Sequence, residues 1–472
     1  MRRPPVVAAN GIVATSQPLA TRAGLRALER GGNAADAALA AAAVLAVTEP
    51  TGNSIGGDNF AIVWKDGRAD GLDSAGPAPR SADPDAPVEI DGARSVTVPG
   101  AVGGWAALAE RYGRLGFDVC LADAIDAAEN GFAVTPLTAA AWQRGTRVPA
   151  EYLPAPRVGE IVRLPDLAAT LRRIAAGGPR AFYEGEAARA IASVTWLEEE
   201  DLAAYEARWV EPLFISYRGY TVLELPPPTQ GVAALEGLGL LERSSPGLAS
   251  QIRCMQLALE DAFARVRDGA DVSDLLETAF LDRRRAEAPS AVAEPAGGTV
   301  YLCAVDSDRM AVSFIQSNYM GFGSGLAAPG TGVCLQNRGA GFSVSGAVEP
   351  GRRPYHTIIP GMLLRDGALA GPFGVMGGFL QAQAHLQLVS AIVDDGLDSQ
   401  AALERPRFMV DGDVVRLEEG LWERDADLAK LGIDTVREAN TGYFGGGQAI
   451  LVVGDALVGG SDPRKDGYAG GM

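Results

Sequence analysis

The sequence predicts a mixed α/β protein whose sheets are layered against helices. Three observations carry that prediction. Strand-like segments lie on both sides of a Pro/Ala/Gly-rich stretch at residues 287–298 (EAPSAVAEPAGG), and the middle third is helix-rich. A helical segment at residues 34–47 is apolar almost all round, so it needs protein on every side.

Residues 18–30 (PLATRAGLRALER) place Leu19, Ala23, Leu25 and Leu28 near helical spacing, and Gly31-Gly32 stops that helix. Asn33 caps the next helix, over residues 34–47, with Asp36 favourably placed in its first turn, and Pro50 closes it. SIGGDNFAIVW then turns through glycines into a short strand at residues 60–64. Helices are expected at 101–112, 121–130, 164–176 and 187–194. RGYTVLELPPPTQG reads as a strand ended by Pro226, Pro227 and Pro228, with further helices to about Arg285. Residues 287–298 lack periodicity and read as an exposed linker.

Beyond the linker, residues 299–306 and 310–316 form a strand pair across a polar turn at Ser307-Asp308. A strand at 372–376 meets Gly377-Gly378, and a helix over 379–394 follows directly. Two more strands are expected at 414–417 and 448–453, and no internal repeat is visible.

Composition excludes several functions. At 472 residues the chain accommodates two or three domains or one large layered unit, and 47% hydrophobic with 21% charged residues is ordinary for a soluble globular protein. A net charge of −18 without a basic stripe repels a phosphate backbone, so no nucleic-acid partner is expected. The opening MRRPPVVAANGIVATS has no signal-type apolar core, and the apolar stretch at 37–47 is too short to span a bilayer, so no membrane association is expected. Cys120, Cys254, Cys303 and Cys334 lie far apart without C-x-x-C spacing, which argues against a disulfide framework and makes the cytoplasm the simplest compartment.

Two histidines, His356 and His385, are too few for a His-rich zinc site. The Gly-rich run at 321–332 lacks a Walker lysine and reads as a loop, and no G-x-S-x-G elbow occurs. Neither a metal nor a cofactor is expected.

The chemistry centres on Gly297-Gly298-Thr299-Val300-Tyr301-Leu302. An internal threonine hydroxyl lacks a base. If the Gly298–Thr299 bond is cut, Thr299 gains an α-amine with a pKa of about 8 that accepts its own hydroxyl proton. Glycine on the acyl side allows the backbone distortion that self-attack requires. On its own, a Gly-Thr pair at a strand start is equally an ordinary strand.

The stretch TVYLCAVDSDRMAVSFIQSNYMGFGSG resembles the start of the small subunit in the γ-glutamyltranspeptidase family of N-terminal-nucleophile (Ntn) hydrolases. ATSQPLATRAGLRALERGGNAADAALAAAAVLAVTEP, SVTVPGAVGGW, YRGYTVLELPPPTQG, RPYHTIIPGM, GVMGGFLQAQ and GGSDPRKDG continue that resemblance in family order over nearly the whole chain. It implies a four-layer αββα sandwich and a precursor that cleaves into residues 1–298 and 299–472, two fragments interleaved in one domain as a heterodimer. A further oligomer is compatible with it.

The resemblance casts Thr299 as the nucleophile, Ser317 as the hydroxyl that positions it, and Gly298–Thr299 as the processing site. Gly377 and Gly378 match the family's oxyanion-binding glycine pair. Two glycines at a helix start also present free N–H groups at the positive dipole end, as a tight strand-to-helix turn does.

Substrate recognition departs from the family pattern. Its carboxylate-binding arginine falls on Ala75 in Leu72-Asp73-Ser74-Ala75, and its acidic partner for the α-amine falls on Gly341. Its paired serines fall on His356 and Thr357, and an asparagine on Tyr319. Without those charge-assisted bonds a γ-glutamyl head is poorly selected. Arg338 offers a different cation or lies on the surface; His356 touches substrate or is structural; His385 is assigned to packing.

The sequence reading is therefore a self-processing amidohydrolase or acyltransferase acting on a small non-γ-glutamyl amide, oxamate- or glutaryl-like. Three alternatives stay open: γ-glutamyl transfer with altered recognition, hydrolytic C–C cleavage with the same nucleophile, and an uncleaved binding protein.

Overall fold

In a computed structural model that describes residues 3–289 and 297–472, two seven-stranded sheets stack face to face, and each carries helices on its outer side. Residues 290–296, most of the expected linker, lie outside the described residues. In spatial order the first sheet runs Val6–Ala8, Ala456–Ser461, Gly446–Val453, Ala368–Met376, Gly361–Arg365, Tyr220–Glu224 and Leu213–Tyr217. The second runs Tyr468–Gly471, Gly11–Thr15, Gly298–Asp306, Ala311–Tyr319, Asp58–Lys65, Arg68–Ser74 and Arg208–Val210. Neighbours in both sheets pair antiparallel.

The Gly298–Asp306 strand is covered on both faces, and its alternation shows what covers each. Val300, Leu302 and Ala304 join the cluster under the Ala34–Thr48 helix. Tyr301, Cys303 and Val305 turn the other way, to meet Met362, Met376 and Ile450 of the facing sheet. A third cluster packs the outer face of the first sheet against the helices Gly231–Glu242, Leu248–Arg265 and Leu380–Val393. Helix, sheet, sheet, helix is the order of layers.

The Ala34–Thr48 helix is buried at all fifteen positions. Its alanines let helix and sheet approach closely, and its start is fixed by a capping box in which Asn33 Oδ1 accepts the Ala35 and Asp36 N–H groups and Asp36 accepts the Asn33 N–H at 2.9 Å.

The predicted helices and strands are present, with ends moved by a few residues; the helix expected at 121–130 starts at Phe117. Most of residues 321–332 form turns, with a two-residue strand at Ala327–Ala328. Strands not anticipated include Gly11–Thr15, Arg68–Ser74, Gly361–Arg365, Ala456–Ser461 and Tyr468–Gly471, all of them glycine-bearing. All four cysteines are free and buried. Among the described residues no helix is long and apolar enough to cross a membrane.

Candidate active site

Thr299 sits one residue into a central strand, opposite a β-bulge. Gly298 pairs with Tyr319 and Val300 with Gln316, so Ser317 and Asn318 together face Thr299. Such a bulge re-aims a side chain, here Ser317, towards the partner backbone. The Ser317 hydroxyl donates to the Gly298 carbonyl at 2.8 Å. Its oxygen is approached by three donors: the Thr299 hydroxyl at 3.2 Å, the Tyr319 N–H at 2.8 Å and Arg338 Nη2 at 3.1 Å. One oxygen therefore connects the Thr299 hydroxyl to the carbonyl immediately before it.

The backbone around the junction leaves room for glycine alone. A Cβ on Gly298 would meet the Gly321 nitrogen at 2.8 Å, and one on Gly52 the Thr299 nitrogen at 3.1 Å. A Cβ on Gly297 would lie 3.2 Å from the Gly378 Cα, which puts the glycine pair against the same junction. Gly377 and Gly378 have φ of 141° and 62°, conformations that a side chain disfavours. Among the described residues neither of their N–H groups has a hydrogen-bond partner, and the Leu380–Val393 helix begins two residues later. Gln230 Nε2 donates to the Gly378 carbonyl at 3.2 Å and to the Thr357 carbonyl at 2.7 Å, fixing the turn from behind.

Arg338 is fully buried rather than on the surface. Its guanidinium lies 4.4 Å from the Tyr319 ring centre, and Nη1 donates to Thr357 Oγ1 at 3.3 Å. Among the described residues its Nε has no partner and no carboxylate reaches ion-pair distance. Burial pulls its pKa down to about 10, against the field of Asp58. Tyr319 holds φ at 77°, strained for an aromatic residue, and this keeps its ring beneath the cation.

His356 Nδ1 donates to the Pro354 carbonyl at 2.7 Å, and Nε2 lies 3.1 Å from Asp58 Oδ2. Burial and the nearby Arg338 charge pull its pKa down, with Asp58 pulling the other way. It and Thr357 are buried and do not line the cavity that holds Thr299. Gly341 is closed to any larger residue, because a Cβ there would stand 2.4 Å from the Tyr355 carbonyl oxygen. His385 bonds Glu224 at 2.6 Å and accepts the Val375 N–H at 3.1 Å, just before the glycine pair.

Glu49, Asp58 and Gln230 were not singled out from sequence. Glu49 shares a cavity of about 290 Å³ with Thr299 and accepts from Ser16 Oγ at 2.5 Å. Burial pushes its carboxyl up to about 7, with Lys465 pulling the other way. The one available signal was a lone acid ending an otherwise apolar helix.

The sequence profile of the gamma-glutamyltranspeptidase family matches residues 20–472. The chain belongs to that family. Within the gamma-glutamyltranspeptidase family it is 32% identical to the glutathione hydrolase-like YwrD proenzyme of Bacillus subtilis, over 99% of both chains. It is 33% identical to the oxamate amidohydrolase proenzyme of Klebsiella pneumoniae, over 98% of this chain and 99% of that one. The crystal structure of cephalosporin acylase from Bacillus halodurans matches with a TM-score of 0.94 at 42% identity, covering 100% of this chain and 97% of that one. The expected αββα architecture is therefore the observed one, and the protein is an amide hydrolase or acyltransferase of the gamma-glutamyltranspeptidase family.

Proposed function

We propose that this chain is a self-processing Ntn amidohydrolase with Thr299 as its nucleophile, maturing into fragments 1–298 and 299–472 that stay together as a heterodimer. The observation that carries the reading is the Ser317 hydroxyl between the Thr299 Oγ and the Gly298 carbonyl. As Thr299 Oγ bonds to the Gly298 carbon, its proton passes through Ser317 to the carbonyl oxygen. The C–N bond then breaks as that proton moves from the oxygen to the departing nitrogen, leaving an ester on Oγ and a free α-amine, and water hydrolyses the ester to the Gly298 carboxylate and the Thr299 hydroxyl. Arg338 and the Tyr319 N–H, both donating to Ser317, make its hydroxyl a stronger donor to the developing oxyanion.

In the mature enzyme the Thr299 amine takes the hydroxyl proton and Oγ attacks the substrate amide. The Gly377 and Gly378 N–H groups hold the oxyanion, Ser317 orients Oγ, and the amine returns the proton to the leaving group. Water or an acceptor amine resolves the acyl-enzyme.

The substrate is a small non-γ-glutamyl amide with a carboxylate near the scissile bond, oxamate- or glutaryl-like. Ala75 and the sterically closed Gly341 remove the clamp for an amino-acid head. Arg338, buried behind Ser317 without a carboxylate at ion-pair distance, acts through its field, which favours an anion near Thr299 and disfavours an ammonium. The Klebsiella relative named for oxamate hydrolysis fits this class.

The test is a denaturing gel with N-terminal sequencing. Maturation yields pieces of roughly 30 and 18 kDa in proportion to length, the smaller beginning at Thr299, and Thr299→Ala stays full length. Active protein without that new terminus ends the proposal. Release of nitroaniline from γ-glutamyl-p-nitroanilide as fast as turnover of oxamate or glutaryl amides would overturn the substrate assignment alone.

A further inference from the structure

The cavity holding Thr299 is walled by several charged side chains, and most are already committed. Arg464 is saturated by Glu418 and Asp462, with the Leu403 and Arg405 carbonyls completing its bonds. Asp466 accepts the Thr135 hydroxyl at 2.7 Å and the Leu137 and Thr138 N–H groups, pinning the start of the Pro136–Arg144 helix. Glu49 is turned to Ser16.

Two cations on the same wall, the half-buried Lys465 and the exposed Arg144, have no side-chain hydrogen bond or ion pair among the described residues, and Lys465 acts on Glu49 through its field alone. Lys465 is also held in place: its stem lies so close to Gly446 that a Cβ there would meet Cγ at 2.4 Å. Its backbone is tied to the Asp462 carbonyl at 3.2 Å. A half-buried ammonium with a fixed stem loses little freedom when it binds, which favours a ligand contact over a solvated surface role.

We propose that Lys465, with Arg144 beside it, forms an outer anion subsite that takes a carboxylate of the substrate beyond the scissile amide. The inference rests on Thr299 being the nucleophile, because it places the reacting carbonyl in this cavity. Arg338 lies behind Ser317 and does not line it, so the subsite is separate from the inner cation. Oxamate, with its one carboxylate next to the amide, does not extend to this outer subsite. A carboxylate three or more carbons away, or one on the amine half of the amide, does. The two sources share one chemistry and differ in which side of the bond carries the charge.

Isothermal titration of the mature two-fragment protein separates them. The probes are glutarate against butyrate for the acyl side, and 5-amino-2-nitrobenzoate against 4-nitroaniline for the amine side. The member with the additional carboxylate (glutarate, or 5-amino-2-nitrobenzoate) binds about tenfold more tightly than its partner in at least one pair. That preference is lost in Lys465→Met, reduced in Arg144→Gln, restored in Lys465→Arg and weakened by salt, while binding of the partner lacking the additional carboxylate changes much less. Whichever pair responds identifies the side. Equal binding within both pairs, failure of both carboxylates to bind, or a preference that survives Lys465→Met overturns the subsite. A chain that never yields the two fragments fails at the earlier step, and the gel shows this before any titration.

Discussion

Replacing Ser317 by alanine removes one oxygen and four hydrogen bonds. The Gly298 carbonyl loses a donor at 2.8 Å, the Thr299 hydroxyl loses its acceptor, and the Tyr319 N–H and Arg338 Nη2 each lose an acceptor in a buried site. Loss of a single preorganised donor to a developing oxyanion slows acyl chemistry by about 10²–10³-fold, or about 3–4 kcal/mol of barrier. The losses at these last two donors act on stability instead, at about 1–3 kcal/mol each. The two effects are separable. Full-length Ser317→Ala, purified and incubated at 25 °C, is sampled on denaturing gels over days while its melting is followed by circular dichroism. The fragments should appear at least a hundredfold more slowly than from the parent, in protein that is still folded. Ser317→Thr, which keeps the hydroxyl, should recover most of the rate. Maturation of the alanine variant within about threefold of the parent rate would show that the Ser317 bridge is incidental and remove the main support for the processing mechanism.

Three further outcomes follow from the same geometry. Arg338→Met relieves a buried charge whose depressed pKa corresponds to a standing cost of about 3 kcal/mol at neutral pH; its melting temperature should equal or exceed the parent's while kcat/KM for oxamate falls at least tenfold, and a parallel fall in stability would contradict the assignment. Gly341→Asp drives a side chain against the Tyr355 carbonyl, so chemical denaturation should show a loss of about 2–4 kcal/mol with no gain in γ-glutamyl turnover. Glu49 is held protonated by burial, with a folded pKa of about 7 against 4.5 in the unfolded chain. Its stabilising contribution is complete below 4.5 and is lost as pH rises through 7, so in the uncut Thr299→Ala background Glu49→Gln should gain about 2.5 kcal/mol over the parent between pH 5 and 8 in urea melts.

The segments legible in the sequence are those whose pattern is fixed locally. The 34–47 helix was readable because Asn33 and Pro50 bracket an unbroken apolar run, and the 299–306 and 310–316 strands because a polar turn separates two apolar ones. Gly11–Thr15 and Tyr468–Gly471 were not, since their strand character comes from pairing with each other and with Gly298–Asp306, far away in the chain. Around the junction, Thr299, Ser317 and the glycine pair could be placed by resemblance. The burial of Arg338 could not, because it depends on a bulge and a positive φ at Tyr319, neither of which leaves a periodic trace. Glu49 escaped for a similar reason: only the folded cavity brings it to Thr299.

In the second sheet, strands from before and after residue 298 are interleaved: Gly11–Thr15 is flanked on both sides by strands from the C-terminal part, and Asp58–Lys65 borders Ala311–Tyr319. While the chain is continuous, such a sheet can melt and re-form as one molecule. If the Gly298–Thr299 link is cut as proposed, the same melting would release two chains that must find each other and interdigitate strand by strand, competing with aggregation of each exposed half. Maturation would thus turn a recoverable loss of structure into a terminal one, and the lifetime of the working enzyme would be set by the height of its unfolding barrier rather than by an equilibrium.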